Sequence, residues 1–555
     1  MGYVVRMYTI GDYLLDRLAE VGITELFGVP GDFNLKFLDH VVAHEKIRWV
    51  GNSNELNAGY AADGYARLRG IGAFLTTFGV GELSAANAIA GSYAENVPVI
   101  HIVGSPRKEL QASVAKIHHS MGDGDFARFF RVDRELTCVA EDLNAMTAQA
   151  QIDNLIVQVL FQRKPGALHL AADVASTPCM PPKAPLPLIE QLDSEAAAQE
   201  FERDLKGFLK GRTLAVLADV LVHRFGCQST LQGYLDRSGV PVATLSWGKS
   251  LIDEETSNFA GIYSGAASHG DTRKTVEEAT ALVTVGVDFT DNITAGFSVA
   301  ISQDNQVDIR RDTAYIQGNA YTPLSMGRAI EILDQVTAEV SPEFMPVGKT
   351  NPAEKVEITD DPLSQAQLWA VVSRALEPGN VVIAEQGTSF FGLSAHHFPT
   401  DTVFIGQPMW GSIGYTLPAT LGAALAQPGR RPVLLIGDGS AQLTIQEIGQ
   451  MVREKVPAAI FLVNNNGYTV ERAINGEDEY YNDIPAWDWS KTLDFFGAGD
   501  FGLTLRATTG AELEESVAVA TANKDKLVFV EAVTPYNDYP EQLKRVAAAL
   551  SPRKH

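Results

Sequence analysis

The chain has 555 residues, too many for one hydrophobic core, so roughly two to four domains of about 100–200 residues are expected. Its composition, 45% hydrophobic and 20% charged, is that of a soluble globular protein, while a formal net charge of −24 repels polyanions and argues against nucleic acid as a partner. Cys138, Cys179 and Cys227 are scattered and offer neither a disulfide framework nor a zinc site, and no apolar run approaches the ~18 residues of a membrane span, so a cytoplasmic protein is expected.

In chain order, Thr24–Val29 and Ala73–Thr77 read as strands, and Glu55–Arg67 as a helix capped by Asn54 or Ser53. Gly28-Val29-Pro30-Gly31-Asp32 is a strand-end turn carrying an acid. His118-His119 is a polar pair whose adjacent members point in different directions, so by itself it is no metal site. The proline-rich Thr177–Leu188 reads as a linker. Leu214–Leu217, Val242–Leu245 and Leu282–Val287 are the strands of a second unit, and a second linker follows at about 340–362. Asn380–Ala384, Val433–Ile436, Ala459–Val463 and Leu527–Val533 are the strands of a third unit. Near the end, a helix over Glu541–Leu550 sets Leu543, Val546 and Leu550 on one face. Short buried strands alternating with helices imply an α/β protein of three domains, at 1–180, 190–340 and 360–555, each a parallel sheet flanked by helices.

The most informative stretch is Arg431–Gly467, RPVLLIGDGSAQLTIQEIGQMVREKVPAAIFLVNNNG. A strand over Val433–Ile436 leads into a glycine turn, Gly437-Asp438-Gly439-Ser440. A helix over Thr444–Lys455 follows, with Ile445, Ile448, Met451 and Val452 on one face, and then the strand Ala459–Val463. In such a βαβ unit the carboxyl ends of both strands open on one sheet edge, so Asp438 and Asn465 are expected to meet there. Mg²⁺ favours hard oxygens, often one carboxylate with phosphate oxygens and water. Asp438 would supply the carboxylate, Asn465 the amide oxygen and Gly467 a backbone carbonyl. The glycines would admit a diphosphate to a helix N-terminus, with Gly437, Gly439 and Ser440 around it.

This arrangement resembles the diphosphate-binding signature of thiamine-diphosphate enzymes, and the resemblance extends over almost the whole chain. Glu55, in SNELNAGYAADGYAR, matches the family glutamate that hydrogen-bonds the cofactor's aminopyrimidine and promotes ionisation at C2. The sequence is similar to the pyruvate and indolepyruvate decarboxylase group, with closest likeness to the branched-chain 2-keto-acid and phenylpyruvate/indolepyruvate enzymes. The resemblance implies a pyrimidine-binding first domain, a middle domain and a diphosphate- and Mg²⁺-binding third domain. It also implies active sites shared in a homodimer, usually a dimer of dimers. The activity implied is non-oxidative loss of CO₂ from a 2-oxo acid to give an aldehyde, through a C2 carbanion and an enamine, with the cofactor carrying the chemistry.

Further residues follow from the same likeness. Asp32, His118, His119 and Glu471 match the groups that orient the acid and move protons. Ile413 matches the apolar residue that holds the cofactor bent, with the Gly411 carbonyl accepting from its amino group; Thr388 and Tyr468 also fall in cofactor-binding positions. Gln386, Phe390, Phe391, Val470 and Ile474 match the substrate pocket. Gln386 stands where pyruvate decarboxylases carry Thr, and Val470 leaves more room than isoleucine, so branched-chain, longer aliphatic or aromatic 2-oxo acids are expected over pyruvate. A pyruvate decarboxylase and an acetohydroxyacid-synthase-like carboligase are the alternatives; the His118-His119 pair speaks against the second.

Overall fold

The computed structural model describes residues 7–348 and 355–550. Part of the expected second linker, 349–354, lies outside these residues, as does the side chain of Leu550. The chain builds three sheets. The first holds β1 (Glu25–Gly28), β2 (Arg48–Gly51), β3 (Gly72–Thr77), β4 (Val99–Ser105), β5 (Val139–Asp142) and β6 (Gly166–Ala171), in the order β2-β1-β3-β4-β6-β5. Every pairing in it is parallel, and β3, β4 and β6 are buried along their whole lengths, as strands covered on both faces must be.

The second sheet comprises β7 (Thr213–Ala218), β8 (Val242–Leu245), β9 (Phe259–Tyr263), β10 (Ala281–Val285), β11 (Gln306–Ile309), β12 (Ala314–Ile316), β13 (Asn319–Tyr321) and the short β14 (Glu343–Phe344). Its order is β13-β12-β11-β10-β7-β8-β9, with β14 paired to β7. A wholly parallel sheet was the expectation here, and the structure corrects it: β11 stays parallel to β10, but β12 runs antiparallel to both β11 and β13. Two tight connections cause this: 310–313, where the Arg310 amide donates to the Thr313 carbonyl at 2.9 Å, and a second turn. Gln317-Gly318 joins β12 to β13 with φ of 50° and 82°, a two-residue turn of the kind that matches strand twist and closes a hairpin.

The third sheet holds β15 (Val381–Ala384), β16 (Val403–Ile405), β17 (Pro432–Gly437), β18 (Ala459–Asn464), β19 (Gly502–Ala507) and β20 (Leu527–Val533), all parallel, in the order β16-β15-β17-β18-β20-β19. A second correction falls after β17. The helix begins at Asp438 rather than Thr444, so the glycine turn is its first turn. It runs to Thr444, tightens to a 3₁₀ turn at Ile445–Glu447 and resumes over Ile448–Arg453. The interruption coincides with burial of Glu447, whose carboxylate accepts from Asn52 Nδ2 at 2.7 Å and Asn57 Nδ2 at 2.8 Å in the first unit.

That contact is part of a larger seam. Asn54 caps the helix Glu55–Arg69, accepting from the Asn57 amide at 2.8 Å. The helix crosses Thr416–Ala426 of the third unit at backbone contact, where a Cβ on Gly64 would strike the backbone of Ala419 and one on Gly422 that of Ala61. Its small-residue face therefore serves an intrachain helix contact. Buried polar groups pin the crossing: Tyr415 donates to Asp63 at 2.6 Å, and Arg67 pairs with Asp63 at 2.7 Å while donating to the Gly406 carbonyl at 2.7 Å. A single apolar core, from Phe27 and Phe74 to Leu434 and Phe529, runs through both sheets. No helix among the described residues is long and apolar enough to cross a membrane.

Candidate active site

The site is built where β15, β17 and β18 end side by side. Gly437 is in register with Val463, so the residues that follow each strand emerge as neighbours. Asp438, 2% exposed, accepts from the Gly439 amide at 2.8 Å and from the Gly467 amide at 3.3 Å. Burial pushes its pKa up to about 6, against the pull of these backbone donors, and no cationic side chain among the described residues pairs with it.

Asn465 supplies the test of whether the group fits a metal. One end of its amide lies 2.9 Å from the Gly467 carbonyl oxygen and 3.2 Å from Asp438 Oδ1; the other lies 3.0 Å from Thr469 Oγ1. With nitrogen at the first end, the amide satisfies both oxygens by hydrogen bonds. With oxygen there, three oxygens converge on one point, which suits a small hard cation such as Mg²⁺. One planar amide thus serves both states, and the donor set fits the metal.

Around this point a cavity of about 420 Å³ opens. Thr388, Gly411, Ile413, Gly437, Gly439, Ser440, Asn465, Gly467, Tyr468 and Glu471 line it, with Gln386, Phe391, Val470 and Ile474 on its walls. Asp438 lies beneath. Gly439 also makes room for a neighbour: a Cβ there would lie 2.6 Å from the Tyr468 ring, whereas Gly437 faces open space. Gln386 Oε1 is buried without a hydrogen-bond partner among the described residues. Phe390 departs from expectation. It is fully buried against Phe404 and beside Gly406 and does not line the cavity, because the helix Thr388–Ser394 turns successive side chains by about 100° and, of the two phenylalanines, Phe391 faces inward.

Several lining groups escaped the sequence reading. Asp291 and Asn292 come from the middle unit, Asn292 held by a bond to the Pro408 carbonyl at 3.1 Å. Leu543 and Val546 of the helix Glu541–Leu550 cover the cavity; the family resemblance implies that this region covers the site entrance, without assigning the individual residues. Glu385 is fully enclosed at its base, accepting from Thr416 Oγ1 at 2.6 Å and from the amides of Gly414 at 3.1 Å and Gln386 at 3.1 Å. Burial raises its pKa to about 7. Its carboxylate ties the end of β15 to the loop carrying Gly411 and Ile413.

The remaining expected residues form a second group at the carboxyl ends of the first sheet. His118 Nε2 lies 2.6 Å from Asp32, and His119 Nδ1 lies 3.9 Å from the same carboxylate. The two rings meet edge to face, and Phe33 stacks on His118. Glu55 is half-buried, with its Oε1 over Gly81, and makes no hydrogen bond or ion pair among the described residues. None of Asp32, Glu55, His118 and His119 lines the cavity above Asp438. Within one chain the expected residues therefore fall into two separate groups, one at the carboxyl ends of the first sheet and one at those of the third.

With this geometry in view, comparison with known proteins is direct. Residues 8–127 match the N-terminal TPP binding domain of thiamine pyrophosphate enzymes, 207–335 their central domain, and 387–532 their C-terminal TPP binding domain. An alpha-keto-acid decarboxylase of Mycobacterium ulcerans (strain Agy99) is 51% identical over 548 residues, 98% of this chain and 97% of the relative. A protein of the same name from Mycobacterium tuberculosis (strain ATCC 25618 / H37Rv) is 49% identical over 550 residues, 99% and 98% of the two chains. The chain belongs to the thiamine-diphosphate-dependent 2-keto-acid decarboxylase family.

Proposed function

We propose that two copies of this chain complete each other's active sites and decarboxylate 2-oxo acids bearing branched, longer aliphatic or aromatic side chains, with thiamine diphosphate and Mg²⁺. The observation that carries this reading is the division of the site. The oxygen cluster suited to a cation and diphosphate opens from one sheet edge, while Glu55 and the Asp32–His118–His119 group open from another. Exposed apolar side chains flank both halves: Val80 and Leu83 on the helix whose Gly81 lies beside Glu55, and Met409 and Trp410 at the cavity rim. Such surface calls for a covering partner, here a second copy. Three free cysteines fit the cytoplasm as the working compartment.

When bound, the cofactor supplies the electron sink for loss of CO₂. Asp438, Asn465 and the Gly467 carbonyl would hold Mg²⁺, and Ser440 with the first helical turn would receive the diphosphate. The Gly411 carbonyl and Ile413 would orient the pyrimidine, and Glu55 of the second chain would hydrogen-bond it. His118 is poised to exchange a proton with Asp32 at 2.6 Å. His119 and Glu471 would hold or move protons at the substrate's oxygen and carbon. Gln386, Phe391, Val470 and Ile474, which line the cavity, would receive its side chain, with valine rather than isoleucine at 470 leaving room for more than a methyl group.

The test is aldehyde release in a coupled alcohol-dehydrogenase assay with pyruvate, 2-ketoisovalerate, phenylpyruvate and indolepyruvate. Higher kcat/KM for the larger acids is expected. Preference for pyruvate would keep the reaction and overturn the pocket reading, whereas CO₂ release without aldehyde would point to carboligation.

A further inference from the structure

One cluster of buried ionisable groups stands outside the roles assigned so far. Glu82, Asp133 and His169 are each at most 3% exposed. His169 Nε2 lies 2.8 Å from Asp133 Oδ2 and 3.1 Å from Glu82 Oε1. Its N–H is directed at Asp133, which leaves Glu82 Oε1 without a hydrogen bond of its own. Burial works to discharge the imidazole, but the hydrogen bond to Asp133 and the proximity of Glu82 outweigh it and lift the pKa to about 9. His101, whose Nδ1 lies 3.9 Å from Asp133, is driven down to about 4 by burial. Two carboxylates thus share one imidazolium.

The three groups sit on three different elements. Asp133 is on the helix Arg128–Leu136, which follows the His118–His119 loop, and His169 is on β6. Glu82 is in the first turn of the helix Val80–Ala94, and its second oxygen accepts from the Gly79 amide at 3.0 Å. The turn so held touches two of the four residues of the N-terminal half-site, His119 and Glu55. A Cβ on Gly79, whose φ is +66°, would collide with the His119 carbonyl oxygen, and one on Gly81 would lie 3.0 Å from Glu55 Oε1. Phe78, Phe126 and Phe129 pack beneath the loop and complete the connection.

We infer that His169, clamped between Asp133 and Glu82, is a positioning residue for the reaction, fixing the 79–81 turn that sets His119 against Glu55. Nothing but burial would be needed to hold these elements together; a buried charge cluster is a costly way to do that, and what it adds is a directed contact at Gly79. The inference rests on the roles proposed for Glu55 and His119.

The experiment uses the full chain saturated with thiamine diphosphate and Mg²⁺. It records kcat, KM, cofactor affinity from intrinsic fluorescence, and thermal melting. His169→Gln is expected to lower kcat about tenfold or more, with KM and cofactor affinity held within about twofold, since sub-ångström misplacement acts on turnover. Asp133→Asn with His169→Gln removes the imidazolium and one carboxylate together and keeps a neutral hydrogen bond. That double variant is expected to recover kcat to within about threefold of the unaltered chain. A merely structural role predicts lower melting temperature with kcat per folded site unchanged, and that result overturns the inference. So does a double variant as slow as the single one. Should His169→Gln show no cooperative melt, Glu82→Gln decides: it retains an acceptor for the Gly79 amide, and kcat unchanged in it overturns the inference, while reduced kcat at constant KM supports it. Glu55→Gln and His119→Ala run alongside. If these keep full turnover, the underlying reading falls and this inference with it; if they lose turnover while His169→Gln keeps it, only the positioning role falls.

Discussion

Glu385 shows how much a single side chain can do beneath a binding cavity. It accepts four hydrogen bonds at the end of β15, two of them from Thr416, and so fixes the loop that presents Gly411 and Ile413. Burial still dominates, holding its pKa at about 7 rather than 4.5. Because the folded value is the higher one, the native state binds this proton more tightly than the unfolded chain. The stability the group contributes is full below about pH 4.5 and is lost as pH rises through about 7. Thermal melts between pH 4.5 and 8 are therefore expected to show a downward component in the unaltered chain that Glu385→Gln lacks. An identical slope in both would remove Glu385 as its source.

At the scale of an element, the helix Thr388–Ser394 assigns different work to adjacent phenylalanines. Phe391 faces the cavity and the covering helix, while Phe390 is core, packed on Phe404. Phe391→Ala is expected to raise kcat/KM for indolepyruvate relative to 2-ketoisovalerate by about tenfold, the low end of pocket discrimination at about 1.4 kcal/mol. Phe390→Ala is expected to destabilise the chain by about 3–5 kcal/mol with that ratio unchanged. Steady-state kinetics and urea melts of the two variants check the assignment; equal effects on the ratio would refute it.

At the scale of the molecule, the division into half-sites makes a prediction that no single-chain site shares. Glu55→Gln alone should abolish nearly all turnover, and so should Asp438→Ala alone. Mixed in equal amounts, refolded or exchanged chains should regain about a quarter of the unaltered activity, because half the pairs would be mixed and each would hold one intact site of two. Activity that stays at background in the mixture would place Glu55 and Asp438 in the same chain's site. The seam of Gly64 and Gly422 joins the first and third units rigidly within a chain, so each protomer would offer both half-sites in a fixed relation.

What the sequence determined by itself was whatever local pattern enforces. Short β-rich apolar runs such as Val433–Ile436 and Ala459–Val463, bounded by turn residues, read as buried strands, and Ser53-Asn54 before an Ala-rich helix offers a cap, which Asn54 supplies. The approach of Asp438 to Asn465 followed from parallel strand geometry alone. Motif resemblance then supplied the family, which composition and periodicity do not contain. Tertiary structure decided the rest, because it depends on contacts between residues far apart in the chain. The antiparallel pairing of β12 with β13 hung on one Gln-Gly turn. The break before Ile448, in the helix that starts early at Asp438, arose beside Glu447 and its partners in the first unit. Phe390 was separated from Phe391 by the direction each faces, Glu385 was drawn under the cavity, and His169 met Asp133 and Glu82 only when three elements closed around them. Spacing along a chain carries periodicity and turn chemistry; it does not carry which buried charges will find one another, since that is set by how whole elements pack.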